Sequence, residues 1–414
     1  MKNFIKKNPL PVVLFTIFID LIGYGILIPV IPQLLANAHS PFYIMPEGYT
    51  VKHGYIVLGF LIGIFPLMQF FAAPILGQLS DMYGRKKILG ISLVGTCLSY
   101  ILFGIGILTK NIPLLFLSRA LDGVTGGNIS VAQAAIADVT VPENRVKNFG
   151  LIGAAFGLGF IFGPYIGGKL ADPSIVSWFH SSTPFWFAAI LSFLNIISVI
   201  LFFPETLKNP QTHLKIDWSQ SIKNIIKAFN FKPLRLIFTI MFLFWGGFTF
   251  YTTFFSVYLI NKFNFTQSNI GDFFAYVGIW IAFTQIVVTR FMARHFKEEA
   301  ILKYSLIVSG IAIAFYFLPD TWLGLFIITP FFAIPNGLTM ANSTAIISKS
   351  ADANIQGEVL GIGASVQALG QAVPPILSGF IAASITANAP IIISSIIITA
   401  TGLVFAIFYR PKFS

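Results

Sequence analysis

Apolar runs of about twenty residues recur along the whole chain, and this recurrence limits the possible folds more than any other feature of the sequence. A helix of about 20 residues crosses the ~30 Å hydrocarbon layer of a bilayer. Hydrophobic residues make up 56% of the 414 positions and charged residues only 10%, with a mean hydropathy of +0.82. A water-soluble domain could not bury so much apolar surface, so we expect an all-α membrane protein.

The apolar runs predict twelve membrane-spanning helices. We place them at residues 10–35, 51–76, 87–109, 112–138, 146–171, 184–203, 234–261, 268–293, 300–318, 321–349, 356–386 and 388–409.

The longest polar stretch, residues 204–233, separates the sixth span from the seventh and carries five lysines. We predict an N-terminal six-helix bundle at 1–203, a cytoplasmic linker at 204–233 and a C-terminal six-helix bundle at 234–414. With both termini in the cytoplasm, the inner segments hold 21 of the 26 Lys and Arg residues. Short cytoplasmic loops are enriched in these residues, so we expect a multi-pass inner-membrane protein with this orientation.

The two halves resemble diverged copies of each other. Pro164 and Gly168 match Pro375 and Gly379 at a constant offset, in corresponding helices of the two halves. Parallel repeats of this kind are typical of transporters built from two bundles around a central cavity.

The loop after the second span reads GQLSDMYGRKK and contains Gly77, Asp81, Gly84 and Arg85. Gly77 permits close helix approach, Asp81 can face a helix N-terminus, and Gly84 with Arg85 forms a tight cationic turn. The alternative is a loop that is merely basic. The motif resembles the signature of the major facilitator superfamily, and the resemblance implies a twelve-helix fold in which this loop forms a cytoplasmic gate.

The fifth span contains the stretch GLGFIFGPYIGG, with small residues or proline at Gly159, Gly163, Pro164, Gly167 and Gly168. Small residues let helices pack closely in a membrane, and proline removes a helical hydrogen bond. Ordinary helix packing is one explanation. The stretch also resembles the antiporter motif of drug exporters in the same superfamily.

Three ionisable residues lie inside predicted spans of the first half: Asp20, Arg119 and Asp122. Each charge costs at least ~2.5 kcal/mol in hydrocarbon, so we expect these groups to face a cavity or one another. Arg119 and Asp122 share a helix face and could form a purely structural ion pair. Alternatively, Asp20 carries a proton whose release is controlled by the approach of Arg119.

Asp20 with Gly23 and Arg119 with Gly123 resemble the first-helix and fourth-helix signatures of these drug exporters, and the segment 136–168 looks especially like tetracycline-type exporters. The resemblance implies a secondary active transporter that works as a proton-coupled antiporter. The acidic residue that this group carries in its third helix is absent here, so tetracycline itself is not assigned as the substrate.

Uncharged polar residues and one tyrosine within the spans are candidates for the substrate cavity, because they can hydrogen-bond across helices or to a ligand. They are Asn128, Gln133, Tyr251, Gln285, Asn336, Asn342 and Gln367.

These observations favour a transporter that exports an amphiphilic small molecule, such as a drug, lipid or secreted metabolite, in exchange for protons. The alternative is a proton- or sodium-coupled nutrient importer of the same fold. We find no convergent nucleophile and base, no metal cluster and no GxxxxGK phosphate loop, so we expect neither an enzyme nor ATP-driven transport, and no cofactor or metal. The expected partners are substrate, protons and the bilayer, with no nucleic acid, and we expect a monomer.

Overall fold

The computed structural model describes residues 9–140, 145–208, 210, 216–230, 234–349 and 356–409. Apart from turns and connections, these residues are helical, as expected where hydrocarbon offers the backbone no hydrogen-bond partner. In chain order the helices are α1 Leu10–Leu35, α2 Val51–Tyr83, α3 Arg85–Leu108, α4 Ile112–Thr125, α5 Asn128–Val139, α6 Arg145–Leu170, α7 Thr183–Phe202, α8 Gln220–Asn230, α9 Arg235–Phe263, α10 Gln267–Phe283, α11 Thr289–His295, α12 Glu298–Phe315, α13 Trp322–Lys349, α14 Gln356–Ser384 and α15 Ala389–Phe408. A π-helical turn, Thr284–Val288, connects α10 to α11.

The prediction of twelve spans is confirmed. Nine segments of the described chain are long and apolar enough to cross a bilayer. The other three positions are occupied by α4 together with α5, by α6 and by α12. Most ends agree with the predicted ones within a few residues, but α2 extends to Tyr83 rather than to residue 76.

The fourth span is interrupted at Gly126 and Gly127, between α4 and α5. Gln69 Nε2 donates to the Gly126 carbonyl at 2.8 Å, and Ser130 Oγ donates to the Gly127 carbonyl at 2.8 Å. The Gly127 carbonyl also accepts the backbone N–H of Ser130 at 3.2 Å, whereas Gln69 bonds a Gly126 carbonyl that the interruption leaves without a helical partner. The interruption also places Asn128 at the start of α5.

The spans form two six-helix bundles, α1–α7 and α9–α15, that meet where α2 packs against α14 and α6 against α10. We call the side of the molecule on which α7 ends and α9 begins the linker face, and the opposite side the far face. Loops 36–50, 171–182 and 264–266 lie on the far face.

The predicted linker contains a helix that the sequence reading did not identify. This helix, α8, has small or polar residues on its buried side, namely Ser221, Asn224 and Ala228. It packs against α2 of the first bundle and against α9 and α14 of the second, so this helix is a structural element of both.

Candidate functional site

A polar layer is buried in the first bundle, where α1, α4 and α5 meet. It consists of Asp20 on α1, Arg119 and Asp122 on α4, and Asn128 on α5. Asn128 Nδ2 donates to Asp20 Oδ2 at 2.9 Å, and Asn128 is only 1% exposed. The three ionisable residues identified in the sequence are thus accompanied by one of the predicted cavity residues.

The two acids of this layer have different partners. Arg119 Nη1 lies 2.5 Å from Asp122 Oδ2, and both residues are almost completely buried. The Arg119 guanidinium also lies over the Phe65 ring, 4.5 Å from its centre. Asp122 therefore has a close countercharge, as the ion-pair interpretation of α4 predicted.

Asp20 has no cationic partner within ion-pair distance among the described residues. Its Oδ2 accepts the hydrogen bond from Asn128. Its Oδ1 is buried and has no hydrogen-bond partner among the described residues. A carboxylate in this position can take up a proton without breaking an ion pair.

The cavity candidates of the second bundle are dispersed. Tyr251 lies in a closed aromatic cluster, with ring centres 4.5 Å from Phe255 and 4.8 Å from Phe332. Asn336 is completely buried, and neither its Oδ1 nor its Nδ2 bonds to a described residue. Asn342 donates to the carbonyl of Leu338 in its own helix at 2.8 Å.

The glutamines of the candidate set are less enclosed. Gln285 lies in the π-helical turn, and its Oε1 would be 3.8 Å from a Cβ placed on Gly157 of the first bundle. It therefore lies where the bundles face each other. Gln133 and Gln367 are half-buried on α5 and α14.

Arg85 is the centre of an ionic cluster on the linker face. Its Nη1 lies 2.7 Å from Asp81 Oδ1, and its Nε lies 3.0 Å from Asp138 Oδ2. These contacts join the linker-face ends of α2, α3 and α5, all in the first bundle. The predicted gate residues Asp81 and Arg85 are therefore in contact. Their role in a cytoplasmic gate stays a prediction.

Glu205 occupies the position at a helix N-terminus that the sequence suggested for Asp81. Its carboxylate accepts the backbone N–H groups of Arg85 at 2.9 Å and Lys86 at 3.1 Å, which begin α3. Gly84 precedes them with a φ of +97°, and a Cβ there would lie 2.5 Å from Glu205 Oε2. At Gly77, by contrast, a Cβ would be at an ordinary 3.7 Å from Ser130 Oγ, so close packing does not require that glycine in this conformation.

The glycines of the fifth-span motif use two sides of α6. Gly163 faces α1, where its added Cβ would lie 2.8 Å from the Cα of Gly25. Gly159 and Gly167 pack as tightly against the same helix. The expectation that these small residues permit close helix contact agrees with this packing.

The other side of α6 packs against α10 and so joins the two bundles. A Cβ on Gly271 of α10 would lie 2.6 Å from the Pro164 carbonyl oxygen and 3.1 Å from the Cα of Gly168. Only glycine at both positions allows α6 and α10 to approach this closely.

The equivalent residues of the second half make an equivalent contact. Gly59 of α2 is packed against the Pro375 carbonyl, and its added Cβ would lie 3.1 Å from the Cα of Gly379 on α14. The two proline-glycine pairs that matched in sequence thus both lie at close contacts between the bundles.

Polar contacts between the bundles supplement this packing on the far face. Lys169 Nζ lies 2.8 Å from Asp272 Oδ2, and Gln33 Nε2 donates to the Phe265 carbonyl at 2.9 Å. Gln267 Nε2 donates to Ser181 Oγ at 3.3 Å. The direct hydrogen bonds and ion pairs that we describe between the bundles all lie on this face, which is therefore closed.

Two six-helix bundles that close together at one face, with the buried polar layer in the first of them, define a multi-pass membrane transporter of small molecules. The sequence profile of the Major Facilitator Superfamily matches residues 13–375. The chain belongs to the Major Facilitator Superfamily.

Similar proteins include two bacterial resistance proteins. The chain is 30% identical over 380 residues to the class H tetracycline resistance protein of Pasteurella multocida, covering 91% of this chain and 89% of that protein. It is 32% identical over 381 residues to multidrug resistance protein 1 of Bacillus subtilis strain 168, covering 91% and 90%. The crystal structure of the human organic anion transporter MFSD10 has the same fold, with a TM-score of 0.72, 22% identity and coverage of 97% and 99%.

Several residues of these sites were not among the sequence candidates. Glu205 could be explained by helix termination alone, and Asp272 lay near a membrane edge where a solvated acid is common. Gly59 and Gly271 lack a distinctive local motif. The signal that could have identified the two glycines is their similar position in the two repeats, opposite the matched proline-glycine pairs.

Proposed function

We propose that the protein is a proton-coupled antiporter that exports an amphiphilic small molecule by alternating access. The observation that carries the proposal is the difference between Asp122, which is held by Arg119, and Asp20, whose Oδ1 has no partner among the described residues. The names of the similar resistance proteins favour export over nutrient uptake.

The asymmetry of basic residues supports an orientation with the linker face and both termini in the cytoplasm, and a location in the inner membrane. In that orientation the far-face contacts close the outer side. The present conformation would then be the one that accepts substrate from the cytoplasm. The chain works as a monomer, with the bundles 1–203 and 234–414 moving about the linker 204–233.

Asp20 is the proposed proton carrier. When the far face is open, it binds a proton from outside; when the linker face is open, the approach of Arg119 or of a cationic substrate favours the ionised form and releases the proton inward. Arg119 is paired with Asp122 in this conformation, so its approach to Asp20 requires movement of α4 against α1.

Substrate contacts are proposed at Asn128, which bonds to Asp20, and at Gln285, which faces the first bundle. Gln133 and Gln367 are half-buried, so a modest rearrangement would expose them to the substrate. Tyr251, Asn336 and Asn342 are buried within the second bundle. They can contact the substrate only in a state in which the helices of that bundle have moved apart.

Transport by reconstituted protein tests the assignment. Wild type, Asp20→Asn and Asp122→Asn are placed in proteoliposomes with tetracycline or the amphiphilic cation ethidium as probe, and accumulation is driven by an imposed pH gradient. We expect Asp20→Asn to abolish proton-driven accumulation while exchange of labelled for unlabelled probe persists.

Undiminished uphill transport by Asp20→Asn would refute the assignment, and selective loss in Asp122→Asn would move the role to α4. Comparison of inverted with right-side-out vesicles gives the direction. Proton-driven movement toward the linker face would identify an importer instead.

A further inference from the structure

Helix α8 is hydrogen-bonded to both bundles on its buried side. Ser221 Oγ donates to the Phe70 carbonyl of α2 at 2.6 Å. That carbonyl lacks its helical donor because the residue four positions on is Pro74, which has no N–H. Asn224 Nδ2 donates to Ser365 Oγ of α14 at 3.0 Å. The helix therefore spans the linker-face gap between α2 and α14, which touch each other nearer the far face.

The depth of α8 follows from the two helices that hold it. Phe70 lies 19 residues beyond Val51, the far-face end of α2. Ser365 likewise lies 19 residues before Ser384, the far-face end of α14. At 1.5 Å per residue both anchors are about 28 Å from the far face, close to the ~30 Å thickness of the hydrocarbon. Both estimates place α8 at the membrane surface of the linker face.

The other sides of α8 are exposed and differ in character. Ile222 and Ile226 on α8 and Trp218 in the turn just before it are spaced four residues apart and are 51%, 54% and 71% exposed, so they form an apolar stripe. Lys223 and Lys227 are exposed beside this stripe. An apolar stripe flanked by lysines is typical of a helix that lies in the headgroup region of a membrane.

The charge of the connection fits an anionic surface. Segment 204–233 contains five lysines and two acidic residues. Lys223 Nζ lies 2.6 Å from Asp217 Oδ2. Hydrogen bonds from Lys223 and Ser219 lower the pKa of Asp217 to about 2, so this carboxylate keeps a constant charge during vesicle assays.

We propose that α8 binds the anionic headgroup layer of the membrane, with Trp218, Ile222 and Ile226 among the upper acyl chains and Lys223 and Lys227 near lipid phosphates. Because its buried side is bonded to both bundles, this contact stabilises the conformation that is open at the linker face. The proposal goes beyond the transport function and does not depend on the identity of the substrate or the coupling ion.

A probe on the stripe tests the contact. The full chain carrying Cys97→Ala and Ile226→Cys is labelled with an environment-sensitive fluorophore. It is then reconstituted in phosphatidylcholine vesicles with increasing fractions of phosphatidylglycerol. We expect the emission to shift to the blue as the anionic fraction rises.

Two pairs of charge changes provide the matched comparison. Lys223→Gln with Lys227→Gln should raise the phosphatidylglycerol fraction needed for half the shift at least about twofold, since each lysine near an anionic surface contributes up to about fivefold in binding. Lys87→Gln with Lys297→Gln removes the same charge from exposed positions on the linker face, outside segment 204–233, and should leave that fraction unchanged.

Emission that does not change with the phosphatidylglycerol fraction would overturn the proposal. An equal effect of the two pairs of substitutions on that dependence would also overturn it. A shift that follows protein density rather than lipid composition would identify a second copy of the chain as the partner. Since fluorescence is measured without substrate, these results are independent of whether the protein exports anything.

Discussion

Lys169 of α6 and Asp272 of α10 join the two bundles at the far face, with Nζ and Oδ2 2.8 Å apart. The same ammonium donates to Ser268 Oγ, also at 2.8 Å. Both charged side chains are partly exposed, so the pair adds a modest stabilisation to a closure that backbone packing at Gly168 already makes. Opening of the far face requires both contacts to break.

Asp272→Asn should favour opening of the far face. A partly exposed pair contributes about 0.2–1 kcal/mol, so opening should increase roughly 1.5- to 5-fold. The measurement is labelling by an impermeant maleimide of a thiol placed by Ser181→Cys, in a Cys97→Ala background, because Ser181 is completely buried in the closed face. The control is Asp320→Asn, which breaks a 3.1 Å ion pair with Lys262. Both residues of this pair belong to the second bundle, so it does not join the two bundles. Equal labelling of both variants would contradict a gating role.

Gly168→Ala should open the far face more strongly than loss of the ion pair. The new methyl group would lie 3.0 Å from the Cα of Gly271, and overpacking costs about 1–3 kcal/mol. We expect at least about fivefold faster labelling at position 181, with proton-driven transport reduced. Gly90→Ala is the matched control, because nothing lies within 4 Å of a Cβ there. Unchanged labelling would show that α6 and α10 separate by another route.

Gly84→Ala and Gly77→Ala should differ in their effect on stability, although both glycines belong to one motif. Gly84 has a φ of +97° and an added Cβ would displace Glu205, so this substitution should cost about 1–3 kcal/mol and slow transport. Gly77→Ala should leave the unfolding midpoint in detergent nearly unchanged, because its Cβ has room. Similar midpoints for the two variants would show that the turn before α3 accommodates alanine.

Besides the role proposed for Arg119 in proton release, its buried pair with Asp122 should contribute to the stability of the protein. Arg119→Gln leaves the Asp122 carboxylate buried without a countercharge and should destabilise the protein by about 3–5 kcal/mol. The double variant Arg119→Met with Asp122→Leu removes both charges and should recover part of that loss. Thermal unfolding in detergent measures both. A double variant less stable than the single one would show that the pair, rather than charge balance, is needed.

The positions of the spans could be predicted because the bilayer requires long apolar segments whatever their partners are. The proline-glycine contacts could be predicted in part, because matching residues in two repeats occupy matching places. Helix α8 could not, since an eleven-residue helix with two lysines and three isoleucines differs little in composition from a polar linker.

The partners of charged residues were harder to infer than their burial. Spacing alone paired Arg119 with Asp122, because both lie on one helix. The bond from Asn128 to Asp20 depends on the interruption at Gly126 and Gly127, and Glu205 reaches α3 from the end of another span. Such contacts depend on how separate helices are arranged, which a single sequence does not specify.

The unequal pairing of Asp20 and Asp122 also has an electrical consequence. If Asp20 brings in one proton for each neutral molecule expelled, one positive charge crosses the membrane per cycle, and every 100 mV of potential adds about 2.3 kcal/mol to the driving force. For a monovalent cation the outward charge cancels the proton, and only the pH gradient, about 1.4 kcal/mol per unit, remains. A single exchangeable carboxylate would therefore expel neutral compounds against a gradient about 50-fold steeper per 100 mV than cationic ones.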